Sequence, residues 1–564
     1  MNTSKLCKAA LMLPTGAALL MGCSDSDEVT LTQPTKNGDG KYNIIFITCD
    51  QEAYMENYPV GSDFAARERL RQIGTTFEKH YSCANVSTSS RSVIYTGRHI
   101  TETCMLDNTN YQYVGDMPHE LPHIKNMTID LPRNLKTVGH MMSEAGYYPA
   151  FKGKWHISKD TVSLAEYGFN DWTEGSMYGS VQEGYHEDGL ICNRAIEWLD
   201  SKGKELNGKG KSFFLAVNFL NPHDIMYFNE TPGTYIAGDA TPAPDTPMYK
   251  KTYPTAVPAS WNEPFTKEGR PAAHGEYSKQ WAAWVGPSPT TEAGWHTFRD
   301  YYFNTIQDED NHMMKLLQYL EDNGLLKNSI VVYTSDHGEM QGAHGMKGKS
   351  GNMYENNIHV PLIIYHPEVP GGRHCKNLTS HIDLAPTFVD IATEGDEKLK
   401  QKLISIGLRG HSLLPAVKDP STDIRNNEGA LFCFEMISMI DGDFVLVPHY
   451  GADMNKRGFV RGIITPDYKF ARYFAPNNFN TPRNYDDLVA NNDVELLEQG
   501  SDETENLAWP GGKNFNKELV ISMNNKLNNL ILREITRTDD GRELDQCYYG
   551  GIKFWDKNNK EIFK

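Results

Sequence analysis

The chain has 564 residues, of which 39% are hydrophobic, 11% aromatic and 23% charged, a globular composition that excludes the disordered and collagenous classes. It is long enough for two to four ordinary domains, or for one large α/β domain with an appendage. Lys and Arg number 55 against 73 Asp and Glu, and the resulting charge of −18 repels polyanions and argues against a nucleic-acid partner.

Residues 1–22 stand outside the fold, because Lys5 and Lys8 precede an apolar stretch, 9–20, that is too short to span a bilayer. This is an export signal. It closes with Leu20-Met21-Gly22-Cys23, which resembles the lipobox of bacterial lipoproteins. The resemblance implies a diacylated Cys23, membrane attachment through that lipid, and a place in the bacterial cell envelope, periplasmic or at the outer-membrane surface. Residues 23–41 then form a polar tether. No later segment offers about 20 consecutive apolar residues, so the chain is expected to be anchored to a membrane rather than to span it. Of nine cysteines Cys7 lies in the leader and Cys23 directly follows it, and the other seven are scattered singly without a CxxC, which is no disulfide scaffold and fixes no pairing.

From residue 42 the pattern changes to short apolar runs without alternation, at 42–48, 213–219, 330–334 and 361–365, the mark of strands buried on both faces of a parallel sheet. Helical periodicity separates them: Leu135, Val138, Met142 and Ala145, then Tyr302, Ile306, Met313, Leu317 and Leu320, each closed by a glycine. The order predicts an α/β fold with a large, mostly parallel sheet flanked by helices, over residues 42–425. Residues 229–296, with ten prolines, Trp261, Trp281 and Trp284, read as an ordered insertion. Past residue 430 short strands at 460–464 and 468–474 and a helix near 519–535 predict a smaller α+β C-terminal subdomain, 430–564.

Ligands of open α/β sheets bind beyond the carboxyl ends of the strands. Three apolar runs end there in polar residues: Asp50, His223, and Asp336 with His337. Residues 87–98 read Ser-Thr-Ser-Ser-Arg-Ser-Val-Ile-Tyr-Thr-Gly-Arg, and Ser87 and Arg91, four apart, share one face of a helix. A guanidinium one turn from a hydroxyl at a helix N-terminus suits an anion attacked by that hydroxyl. Taken alone, a Ser/Thr-rich helix start is an ordinary cap.

This stretch resembles the signature of type I sulfatases, formylglycine-dependent members of the alkaline phosphatase superfamily. The likeness continues in order from about residue 42 to 473. Gly146-Tyr147 with Gly153-Lys154-Trp155-His156 is similar to the family element that supplies a lysine and a histidine to the sulfate pocket. Asn221-Pro222-His223 is similar to its substrate-contacting histidine, and Ser335-Asp336-His337-Gly338-Glu339 with Lys349 to its second metal pair and second lysine. His381-Ile382-Asp383 and Gly410-His411-Ser412 extend the match. Each motif is weak alone; five in order are specific. Two departures stand out: Cys49-Asp50-Gln51 offers one carboxylate where many sulfatases have two, as in choline sulfatases and phosphonate monoester hydrolases, and Ser89 occupies the usual Pro or Ala position. Cys83 has no arginine four residues on and is set aside as nucleophile.

The resemblance implies a sulfuric ester hydrolase in which a maturing enzyme, of the oxygen-independent radical type, oxidises Ser87 to Cα-formylglycine. One hydroxyl of the hydrated aldehyde attacks sulfur, and deprotonation of the other releases the sulfate by elimination. The same resemblance implies a hard cation, Ca²⁺ or alternatively Mg²⁺, on Asp50, Ser87, Asp336 and His337, with Arg91, Lys154 and Lys349 around the sulfate. His223 is then the acid for the leaving alcohol and His156 the base. A sulfated saccharide is the expected substrate, with Trp and Tyr faces of the insertion and a loop at 107–123 expected to line its cleft. Two other readings are a phosphoesterase or phosphonate monoester hydrolase on the same scaffold, and a lipoprotein that binds sulfated glycan without cleaving it.

Overall fold

The computed structural model describes residues 33–109, 130–158, 162–443, 453, 455–478 and 480–535. The expected export signal, Cys23, most of the expected tether and most of the 107–123 loop lie outside the described residues. No helix among the described residues is long and apolar enough to cross a membrane.

Strands β1 (Asn43–Asp50), β2 (Thr75–Tyr81), β3 (Tyr148–Gly153), β4 (Phe213–Pro222), β7 (Ser329–Ser335), β8 (Leu362–Tyr365) and β9 (Arg373–Ser380) form one sheet in the order β3-β4-β1-β7-β8-β2-β9. β5 (Gly233–Tyr235) and β6 (Gly238–Ala240) make a separate hairpin. Only β8 runs against its neighbours β7 and β2; the other pairings in the large sheet are parallel.

The unbroken apolar runs have a direct cause, since every residue of β1, β4 and β7 is buried. Phe46, Phe214 and Val332 face one core, against α2 (Ser87–Thr96), α3 (Val138–Glu144) and α7 (Leu384–Ala392). Ile45, Ile47, Leu215 and Val331 face the other, against α1 (Ala65–Ile73), α4 (Glu183–Trp198) and α6 (Glu292–Asp322). The fold is therefore the α/β sandwich that the pattern predicts. β2, β3 and β9 escape the apolar-run criterion because they lie toward the sheet edges and carry polar residues, as in Thr-Thr-Phe-Glu-Lys-His-Tyr of β2.

β10 (Ala430–Phe434), β11 (Phe459–Ile464), β12 (Tyr468–Phe474) and β13 (Asp493–Glu498) form an antiparallel meander. One face packs on α8 (Lys517–Glu534) through Ile463, Phe470 and Leu527. The other meets α5 (Ala273–Val285), the helix of the 229–296 segment, through Phe434, Tyr473, Tyr277 and Trp281. No disulfide is formed among the described cysteines.

At the end of β3, Gly153 has φ +86° and its missing side chain faces the Asn218 carbonyl, which a Cβ would meet at 2.0 Å. Gly153→Ala is expected to destabilise the fold by about 3 kcal/mol or more, read as a lowered unfolding midpoint in denaturant.

Candidate active site

β1 and β7 are parallel neighbours with Cys49 opposite Ser335, so Asp50 and Asp336 leave the sheet side by side at its carboxyl edge. The chain turns sharply there, with φ +79° at Gln51, whose N–H donates to Asp336 Oδ1 at 3.1 Å. Helix α2 aims its first residue at the same point. Ser87 Oγ lies 3.3 Å from Asp50 Oδ1 and 3.2 Å from His337 Nε2, and Lys349 Nζ donates to it at 3.4 Å. All ten residues of α2 are buried, and the helix ends at Gly97 in the left-handed region, φ +64°, where a Cβ would strike Leu408.

Arg91 lies beneath Ser87. Its Nε donates to Asp336 Oδ2 at 2.9 Å, Nη2 to Asp50 Oδ2 at 3.1 Å and Nη1 to the Lys154 carbonyl at 2.9 Å, so its charge is directed at the two carboxylates. Lys154 Nζ lies 2.8 Å from Asp50 Oδ2 and donates to the Tyr178 carbonyl. Lys349 Nζ donates to Gln51 Oε1 at 2.8 Å. Burial by itself raises the Asp50 carboxyl, yet Lys154, Lys349 and Arg91 together hold it well below the usual range. Burial and the Asp50 charge raise Asp336 to about 6. Burial brings Lys349 down to about 8, against the pull of Asp50.

The three histidines are held neutral. Burial and the lysines depress His337, His223 and His156 well below the ordinary imidazole value. His337 Nδ1 faces the Gly338 carbonyl at 3.0 Å, which fixes the proton on Nδ1 and leaves the Nε2 lone pair facing Asp50 and Asp336, at 3.7 and 3.5 Å. His156, with φ +55°, has both ring nitrogens buried and unpartnered, and His223 Nδ1 is likewise buried and unpartnered. Neutral imidazole nitrogens without partners among the described residues are free to exchange a proton with a bound ligand.

Asp50, Asp336 and His337 bring one ligand atom each to within 4.8 Å of one another, all buried. Two carboxylates with one fixed imidazole nitrogen fit a divalent cation, and the Ser87 oxygen lies in reach of the same point. The Cys49 thiol turns the other way, toward Glu52 at 3.2 Å and the Tyr333 hydroxyl.

All nine residues singled out from the sequence are buried in this neighbourhood, with Ser87, Arg91, Lys154, Lys349, Asp50, Asp336 and His337 joined by direct contacts. Sequence reasoning missed Asn218, whose Oδ1 accepts from Thr48, Tyr95 and Arg91. An asparagine inside the run Phe-Phe-Leu-Ala-Val-Asn-Phe-Leu was its visible signal. It also missed Asn108, which accepts from the Thr88 N–H and secures the start of α2.

The sulfatase family model matches residues 43–394, more than half of the chain. The chain belongs to the sulfatase family. It is accordingly a hydrolase of sulfuric esters. Among its relatives is the N-acetylglucosamine-6-O-sulfatase of Bacteroides thetaiotaomicron, 24% identical over 68% of this chain and 72% of that protein. The chain spans less than two thirds of some other relatives, for example 61% of an arylsulfatase K from Xenopus laevis. Two solved structures share the fold. One is the phosphonate monoester hydrolase of Silicibacter pomeroyi, TM-score 0.62 and 16% identity over 88% of this chain and 96% of that one. The other was solved in complex with its substrate D-glucosamine-2-N,6-O-disulfate, TM-score 0.57 and 19% identity over 87% and 98%.

The insertion corrects one expectation. Trp281 and Trp284 do not offer open faces to a sugar: both are buried, edge to face at 5.7 Å, and Trp281 Nε1 donates to the Lys349 carbonyl at 2.8 Å. They are the core of the insertion and the support of the Lys349 loop.

Because Asp336 faces the cation position and Cys49 faces away, Asp336→Ala is expected to weaken Ca²⁺ binding by on the order of a hundredfold or more, measured by calorimetry, and Cys49→Ala by less than about tenfold. Equal losses would reverse the ligand assignment.

Proposed function

We propose that this sulfatase cleaves a sulfate ester of a carbohydrate at residue 87, with Ser87 oxidised to Cα-formylglycine by a maturing enzyme. The observation that carries the reading is the Ser87 hydroxyl, held at a helix N-terminus among Asp50, His337 and Lys349 within 3.4 Å. The saccharide class is supported by the N-acetylglucosamine-6-O-sulfatase relative and by the glucosamine disulfate complex. Lipid anchoring at Cys23 and an envelope location belong to the same reading.

The hydrated aldehyde supplies a nucleophilic hydroxyl and a second hydroxyl whose deprotonation expels the sulfate. Asp50, Asp336, His337 and the residue 87 oxygen would hold a divalent cation, Ca²⁺ or Mg²⁺, which when bound would lower the pKa of the diol. Lys154 and Lys349, both buried, bring positive charge to the sulfate oxygens. Arg91 keeps both carboxylates ionised and aligned. His156, neutral and unpartnered, is placed to accept a proton. His223 is placed to donate to the leaving alcohol once it carries a proton, which burial and the two lysines oppose and the sulfate charge favours.

The test is peptide mass spectrometry across Ser87 on protein made with and without an anaerobic maturing enzyme. Active protein is expected to lack two hydrogens at residue 87, and Ser87→Ala to abolish sulfate release. Full activity with unmodified serine would falsify the mechanism. The single carboxylate of Asp50-Gln51 is common to choline sulfatases and phosphonate monoester hydrolases, and faster turnover of a phosphonate monoester than of any sulfate ester would establish the second reading.

A pH prediction follows from Lys349, whose ammonium loses its proton near pH 8. As pH rises through that value the sulfate loses a positive partner, so kcat/KM should fall. In Lys349→Arg this alkaline limb should move up by about two pH units or more, because guanidinium does not titrate there. An unchanged limb in a pH-rate profile would assign it to another group.

A further inference from the structure

One short turn, at residues 178–180, touches three residues of the candidate site. The Tyr178 carbonyl accepts from Lys154 Nζ at 3.1 Å, and the Tyr178 ring meets the His156 imidazole edge to face with centroids 5.3 Å apart. The backbone at Gly179 lies against His223, where a Cβ would strike the imidazole at 2.4 Å. The turn is held in place. Gly179 has φ +82°, its N–H and that of Ser180 both donate at 2.7 Å to Glu183 Oε2 at the start of α4, and Gln182 Nε2 donates to Thr241 Oγ1 of the insertion.

Tyr178 differs from its neighbours. Met177 and Val181 pack into two separate apolar cores, whereas the Tyr178 ring belongs to none among the described residues. It is half-buried beside an exposed Ser180, so part of it faces solvent, and its hydroxyl makes no hydrogen bond among the described residues. An aromatic ring that joins no core, with a polar tip that no protein group takes up, offers a ligand both an apolar face and a hydrogen-bonding group. His223 is the donor assigned to the leaving alcohol, so that alcohol stands on the side walled by this turn.

We propose that Tyr178 is a specificity-determining residue of this sulfatase, the platform on which the sugar bearing the scissile sulfate lies. The apolar C–H face of a pyranose covers the ring, and the phenol hydroxyl bonds a sugar hydroxyl. Because Glu183 clips the turn and Lys154 holds its carbonyl, the platform is formed before the sugar arrives and little ordering is required on binding. Tyr178 thus takes the role that the buried Trp281 and Trp284 leave open. The assignment rests on the carbohydrate reading above and names the surface that reads the sugar.

Calorimetry on full-length Ser87→Ala protein tests this with inorganic sulfate, which fills the sulfate pocket alone, and with heparin and chondroitin sulfate disaccharides, which add sugar rings. Tyr178→Ala is expected to raise the Kd of the tightest-binding disaccharide about tenfold or more and to leave that of inorganic sulfate within about threefold. Tyr178→Phe, which keeps the ring, should raise the disaccharide Kd by less than about threefold. The Tm is expected to hold in both variants, since the ring lies outside the cores. Equal losses for sulfate and disaccharide would reduce Tyr178 to a support of Lys154 and overturn the platform, as would an unchanged disaccharide Kd. Matured enzyme that cleaves 4-methylumbelliferyl sulfate, when no disaccharide binds more tightly than sulfate, also overturns it and leaves the sulfatase chemistry standing. Tyr178-dependent disaccharide binding in protein that cleaves no sulfate ester supports the platform and counts against that chemistry instead.

Discussion

The arrangement depends on one guanidinium. Two carboxylates at the ends of adjacent parallel strands repel each other, and in a buried setting that repulsion would pull the strand ends apart or force a proton onto one of them. Arg91 bridges them, with Nε on Asp336 and Nη2 on Asp50. Because Arg91 lies one turn along α2 from Ser87, the same contact sets how far the reactive hydroxyl stands from the metal ligands. Strand register, helix position and carboxylate ionisation are therefore solved by a single side chain. Lysine, a point charge, has no fork with which to do it.

A second layer of support comes from distant sequence. The loop that presents Lys349 rests on Trp281, which donates to its carbonyl and packs on Gly348, while Phe434 and Tyr277 close over Gly351. Tyr277 and Trp281 lie on the helix that also covers the C-terminal sheet. Insertion and C-terminal subdomain are thus structural partners of the sulfate pocket. The aromatic richness of the insertion reflects the apolar area needed to hold three layers together.

Much of the centre was legible because its constraints are local. The runs ending in Asp50 and Asp336 announced buried parallel strands, and parallel strands deliver their ends to one edge. Spacing placed Ser87 and Arg91 on one helical face. What spacing did not convey is which partner a side chain chooses once folded: Arg91 read as a sulfate ligand, whereas its donors are directed at carboxylates and a carbonyl. Polar edge strands such as β2 and β9 left no apolar signature. The tryptophans looked alike in sequence whether they stack on a sugar or on each other, since only long-range packing separates the two. Asn108 and Asn218 act through contacts many residues away, of which a single sequence keeps no record.

The burial of α2 has a consequence for the order of events in the cell. From Ser87 to Thr96 no side chain reaches solvent, and the backbone at the start of the helix is enclosed by Asn108, His156 and the ends of β1 and β7. On the proposed chemistry, an enzyme that oxidises residue 87 would have to reach a serine that the finished fold encloses. The proposal therefore carries an order with it: oxidation before folding, with a chain that folds first keeping its serine sealed in.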